Sequence, residues 1–174
     1  AAADPDDADG DGISGRPNIV WNPETGVTDL GRFGWKANTP SLSIQVAAAA
    51  NGDMGITSVL FPNSNCPPAQ RDCAIAPNGG APEMDRASLD MLVVYARALS
   101  VPARRDPHDP KVERGGDIFA ASGRGACHTP AMTTGRAPAL PQLAGQEIYP
   151  YTDMLLHDMG DGLADGRPDF AASG

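Results

Sequence analysis

The chain carries one cysteine-histidine pair, Cys127-His128, shortly after a predicted helix that contains Gly115 and Phe119. Segments of the Cys-x-x-Cys-His type close a helix in this way, and they attach haem by thioether bonds with the histidine as iron ligand. Arg124 stands where the first cysteine would be. A Cys-His dipeptide alone can be incidental, but the preceding Gly-x-x-x-Phe helix and the following Thr-Pro favour attachment. The pattern therefore predicts a haem c bound through Cys127, by a single thioether, and ligated by His128.

The composition is compatible with a cofactor that completes a thin core. Glycine and proline number 20 and 17 of 174 residues, and only 5% of the residues are aromatic. Such usage predicts long loops and short helices. We therefore expect a mainly α fold, a cytochrome c-like haem domain with long irregular loops and few or no strands.

Net charge and hydropathy restrict the partners. A formal charge of −9 disfavours nucleic acid and anionic lipid, and suits a basic redox partner or a cation. No apolar run approaches the roughly 20 residues of a membrane span. The N-terminus, Ala1-Ala2-Ala3-Asp4, has no signal-peptide pattern, so we expect a processed form or an internal portion of a longer protein.

Two further cysteines, Cys66 and Cys73, flank a turn-rich loop in which a local disulfide is geometrically easy. Such a bond implies an oxidising compartment, and periplasmic or other export is the expectation. A pair of reduced thiols is the alternative.

Apolar spacing and capping residues predict four helices, which we expect at residues 41–50, 85–99, 109–119 and 151–157. Residues 1–40 show only turn signals, and a long loop is expected over residues 52–82. We expect residues 1–100 to complete a preceding haem domain and the region between two haems. Residues 101–174 would begin a cytochrome c-like haem domain.

Alternating carboxylates at Asp7, Asp9 and Asp11 precede Gly12, as in the first half of an oxygen-ligand calcium loop. The twelfth position holds Asn18 instead of a bidentate glutamate. A calcium site and a solvated acidic turn therefore both remain open.

Met159 and His157 follow His128 at a distance at which small cytochromes place a distal ligand, and the sulfur of Met159 would raise the iron's potential. The alternative is that both residues only shape a loop. His108 is expected to be a solvated loop residue.

Five stretches resemble the di-haem oxidoreductase family, also labelled thiol oxidoreductase, which is related to the bacterial di-haem cytochrome c peroxidases. They are DGDGISGRPN (9–18), GRFGWKAN (31–38), NGDMGIT (51–57), VPARRD (101–106) and LLHDMGDGLADGR (155–167). The family is longer than this chain, so the resemblance implies an internal portion of such a protein.

The resemblance also implies roles for residues between two haems. Trp35 would relay electrons, Gln45 and Asp53 would line a peroxide pocket, and Met54 would be a distal ligand or a pocket wall. The alternatives are a core anchor for Trp35, a solvent-facing helix residue for Gln45, a turn residue for Asp53 and packing for Met54.

The resulting hypothesis is a periplasmic, peroxidase-like oxidoreductase that passes electrons between haems, with a redox protein or a small oxidant such as peroxide as partner. A non-enzymatic electron-transfer cytochrome is the second hypothesis. A calcium-stabilised fragment without haem is the third.

Overall fold

The computed structural model describes residues 3–10, 12–99, 101–137 and 140–163. They divide into two compact units. The split unit contains the described residues up to Pro17 together with those from 101 to 163, and the central unit contains residues 18–99. The assignment of residues 1–100 and 101–174 to two haem domains stays a prediction.

Four α-helices and six short strands are formed by the described residues, so the fold is mixed, with more strands than expected. The helices are α1 (Leu42–Met54), α2 (Arg71–Ile75), α3 (Arg86–Ala98) and α4 (Pro110–Ala121). The strands are β1 (Gly15–Arg16), β2 (Ile19–Asn22), β3 (Val27–Leu30), β4 (Met132–Thr133), β5 (Glu147–Ile148) and β6 (Leu156–His157). No helix in the described part combines the length and apolar character that a bilayer crossing requires.

Helix α1 is longer than its sequence predicted. The Ser41 hydroxyl accepts the amide of Ile44 at its start, as the capping pattern indicates. Asn51 and Gly52 do not end the helix, because the stop signal comes from Gly55, whose φ of 72° forms a left-handed cap.

Helix α3 begins after Asp85, whose carboxylate accepts the amide of Ser88. It packs on α1, and the central core consists of Ala47, Ala50, Met84, Leu89 and Val93. The helix therefore forms where its periodicity predicts. Only part of the predicted apolar face is covered, because Leu92 and Leu99 are exposed.

The expectation of turns alone over residues 1–40 was wrong. Strands β2 and β3 pair antiparallel, with Ile19 opposite Leu30 and Asn22 opposite Val27. Burial alternates along β2, which is the period of a strand with one covered face. The alternation covers four residues, too few to stand out in the sequence.

In the predicted 52–82 loop, the structure places the short helix α2 and a disulfide between Cys66 and Cys73. The carboxylate of Glu83 holds the two ends of this segment together by accepting hydrogen bonds from the amides of Thr57 and Gly79. These hydrogen bonds hold the pKa of Glu83 below its ordinary value, and the bond from Gly79 has the largest effect.

Helix α4 begins as predicted, with Asp109 accepting the amide of Lys111 and Pro110 in the first turn. The predicted helix at 151–157 was wrong. Positive φ angles at Tyr151 and Met154, 52° and 62°, are incompatible with a helix. The segment ends instead in β6, which pairs antiparallel with β1, Gly15 opposite His157.

Candidate functional site

The end of α4 determines where the Cys-His pair lies. Gly123 follows the helix in a left-handed conformation with φ of 72°, and a 3₁₀ turn over Arg124–Ala126 comes next. The amide of His128 donates to the carbonyl of Arg124 at 2.9 Å. Cys127 is half-buried and is not in a disulfide, whereas His128 is exposed.

The imidazole of His128 has a defined partner. Its Nδ1 lies 3.1 Å from the backbone carbonyl oxygen of Tyr151. A carbonyl can only accept, so Nδ1 carries the hydrogen and the neutral ring keeps its lone pair on Nε2. This is the arrangement in which a histidine binds a metal through Nε2 while a second partner orients the ring.

Phe119 lies in the same cluster. Its ring meets the ring of Tyr151 edge to face, with centroids 5.4 Å apart and planes at 87°. A Cβ added to Gly125 would lie 4.0 Å from Cε1 of Phe119, so the 3₁₀ turn also approaches this ring. The structure therefore brings Phe119, Cys127 and His128 into one neighbourhood.

Sequence reasoning missed Tyr151. This residue contributes a backbone carbonyl to His128 and a ring to Phe119. A carbonyl leaves no trace in the side-chain pattern, and an aromatic residue in a loop gives at most a weak signal.

These residues fit a covalently attached haem. A thiol adjoins in sequence an imidazole whose Nε2 remains available to iron, and the Phe119 ring packs on Tyr151, whose carbonyl holds that imidazole. The buried apolar side chains of the described chain all belong to residues 18–99, and none comes from residues 101–163. A large apolar group at Cys127 and His128 would supply the core that this region does not make for itself.

The two residues proposed as distal ligands differ. Met159 is 65% exposed, and its role stays a prediction. His157 uses both ring nitrogens in hydrogen bonds, to Ser14 and to Asp153, which agrees with a loop-shaping role. His108 is exposed in a loop, as expected.

Trp35 lies at the tip of a loop that closes between Phe33 and Thr39 and is 92% exposed, so it is not a core anchor. A Cβ added to Gly34 would lie 3.4 Å from Oε1 of Gln45, which puts Gln45 beside this loop. Asp53 is eight positions further along α1, a rise of about 12 Å. The helix therefore separates Gln45 from the exposed Asp53 and Met54.

Three carboxylates gather near the N-terminus. Asp4, Asp7 and Asp9 each offer an oxygen within 4.8 Å of the others, and Asp11 lies outside the described residues. Asp4 was not among the predicted ligands, and its carboxylate is held in the group by the amides of Ala8 and Asp9. Backbone amides already donate to Asp4 and Asp7, and calcium binding here stays a prediction.

Comparison with known proteins identifies the family. A family model described as "di-haem oxidoreductase, putative peroxidase" matches residues 1–174. Neither a curated protein nor a solved structure gave a significant match. The match covers the whole length of the chain, and the chain therefore belongs to the di-haem oxidoreductase family.

Proposed function

We propose that the chain is part of a periplasmic c-type haem oxidoreductase with peroxidase-like activity, in which Cys127 and His128 hold a haem c. Family membership supports oxidoreductase chemistry. The observation that carries the haem assignment is the bond between Nδ1 of His128 and the Tyr151 carbonyl, because it directs Nε2 toward a metal. The Cys66–Cys73 disulfide supports an oxidising compartment.

Each residue of the cluster has a distinct part. A bound haem supplies one-electron redox chemistry at its iron. Cys127 would hold the group by a thioether, and His128 would supply a nitrogen ligand to its iron. The Tyr151 carbonyl would make the imidazole a stronger donor by accepting its Nδ1 hydrogen, and Phe119 supports Tyr151 by packing against its ring.

Peroxide chemistry is assigned to the central unit. The amide of Gln45 would hydrogen-bond a peroxide, Asp53 would supply a proton, and the exposed ring of Trp35 would pass electrons to an adjoining redox centre. The separation along α1 means that Gln45 and Asp53 act together only after this segment changes conformation. Met54 would then line the same pocket.

Two observations favour the alternative of a non-enzymatic electron-transfer cytochrome. Arg124 replaces the first cysteine, and Gln45 and Asp53 lie too far apart to contact one small oxidant. An electron carrier needs only the attachment cluster, whereas a peroxidase needs that pocket as well.

The test combines intact mass with a pyridine haemochrome spectrum on protein expressed with haem-attachment machinery. We expect one added haem and the band position of a single thioether. Cys127→Ala should abolish the adduct, whereas the matched pair change Cys66→Ser with Cys73→Ser should retain it. Colourless protein with an alkylatable Cys127 would refute haem attachment.

Peroxide-dependent oxidation of a reduced donor then separates the enzyme from the carrier. We expect turnover in the haem-loaded protein and a loss of at least tenfold in Gln45→Ala or Asp53→Asn, since general acid-base groups contribute roughly 10²–10⁴-fold. Rapid haem reduction without peroxide turnover would favour the carrier.

A further inference from the structure

A buried carboxylate–imidazole pair lies in the split unit, outside the attachment cluster. The side chain of Asp153 is 3% exposed and that of His157 is 15% exposed, with Oδ2 and Nε2 2.7 Å apart. Nδ1 of His157 lies 2.8 Å from the carbonyl oxygen of Ser14, 143 positions earlier in the chain. Oδ1 of Asp153 accepts the amide of Leu155 at 2.9 Å.

These partners fix the position of the ring. The imidazole of His157 hydrogen-bonds the Asp153 carboxylate through Nε2 and the Ser14 carbonyl through Nδ1, so both of its nitrogens are engaged. Hydrogen bonds in a site withdrawn from water are stronger than those at the surface. Residues 153, 157 and 14 are thus held together by the hydrogen bonds of one ring.

The pair borders a turn that needs support. Tyr151 and Met154, on either side of Asp153, have φ angles of 52° and 62°. Non-glycine residues in this region are strained, and they persist where the surroundings fix them. The carbonyl that accepts Nδ1 of His128 belongs to the first of these residues, Tyr151.

Strand β1 fits closely against the same segment. A Cβ on Gly15 would lie 2.8 Å from Cδ1 of Leu155 and 3.1 Å from Cε1 of His157, so any larger residue here would require these side chains to shift. Gly15 also exchanges two backbone hydrogen bonds with Asp4, at 2.8 and 3.0 Å. Segment 151–157 is therefore fixed on one side by β1 and the His157 pair.

We propose that Asp153 and His157 are positioning residues, which hold the 151–157 turn so that the Tyr151 carbonyl stays on Nδ1 of His128. This inference rests on the proposed haem function. Without the pair, the left-handed turn relaxes and the carbonyl leaves the imidazole. His128 then becomes a weaker donor to iron, which stabilises the ferric state less and raises the reduction potential.

The experiment compares His157→Gln, Asp153→Asn and the double variant with His108→Gln, a matched control at an exposed loop histidine. Reduction potential and haem content are measured on the haem-loaded protein. We expect higher potentials in the three pair variants, unchanged haem content, and no shift in the control. Because the residues act as one unit, the double variant should match the single ones.

Unchanged potentials in folded pair variants, or single effects that add, would overturn the proposal. Circular dichroism shows which variants fold. If His157→Gln does not fold, Asp153→Asn still tests the proposal, because it preserves the shape of the side chain. Absence of haem in the unaltered protein would refute the function instead. In that case the positioning role is tested on the haem-free protein by ¹⁵N NMR of the His128 ring. We expect the tautomer with the hydrogen on Nδ1, and a smaller population of it in Asp153→Asn. An unchanged population in the variant would contradict the positioning role of Asp153 and His157.

Discussion

The central and split units are stabilised by different means. The central unit buries Ala47, Leu89 and Val93 between two helices, as small soluble domains do. Among the described residues of 101–137 and 140–163 no side chain of this kind is buried, and the structure rests on caps, turns and the hydrogen bonds of His128 and His157. The difference teaches that the central unit is specified by the packing of its own side chains, whereas the described part of the split unit has no such packing, which the proposed haem would supply.

Removing the proposed thioether should have the largest effect on the difference between the two units. In Cys127→Ala we expect loss of covalent haem and loss of amide-exchange protection over helix α4, because the group that completes the split unit is no longer retained. Protection in α1 and α3 should not change. Hydrogen exchange read by mass spectrometry measures both units at once, and an equal loss in the two would contradict the comparison.

A core truncation should give the reverse pattern. Leu89 is fully buried, so Leu89→Ala should lower the free energy of unfolding of the central unit by about 2–5 kcal/mol. The haem spectrum should stay the same. Leu92→Ala, on the exposed side of the same helix, is the matched control and should cost less than half as much by urea denaturation.

The close contact at Gly15 offers a smaller effect in the split unit. Gly15→Ala should destabilise it by about 1–3 kcal/mol, since the new methyl group meets Leu155 and His157. Gly115→Ala is the control. No atom lies within 4 Å of that added Cβ, and alanine in a helix should stabilise α4 by about 0.5–1 kcal/mol. Thermal unfolding followed by the haem absorbance distinguishes the two, and equal shifts would argue against the tight contact.

The smallest effect concerns pH in the central unit. The pKa of Glu83 is lowered by hydrogen bonds from Gly79 and Thr57, so its folded value lies below the unfolded one. This contribution is present above the ordinary value of 4.5 and is lost as the pH falls through the folded pKa. Glu83→Gln should flatten the acid limb of stability, measured by urea titration between about pH 3 and 6. If the free energy of unfolding falls equally at low pH in the variant, the loss of stability in acid comes from other carboxylates.

Local signals account for what the sequence could predict. Ser41, Asp85 and Asp109 are helix caps whose partners lie within three positions. Cys127 and His128 are adjacent in the sequence, so their pairing could also be predicted. Residues that depend on distant partners were missed. Tyr151 acts through a carbonyl and a left-handed turn, and His157 hydrogen-bonds the carbonyl of Ser14, 143 positions earlier.

The pairing of Gly15 with His157 has a consequence for how the molecule is made. The hydrogen-bond partner of Ser14 lies 143 positions later in the chain. In contrast, every residue of the α1–α3 core is present once synthesis has reached Val93. Contacts so far apart along a chain form late, because a long loop must close first. The helical core can therefore be complete while the segment around Cys127 is still open, which would leave its thiol accessible during the haem attachment that we propose.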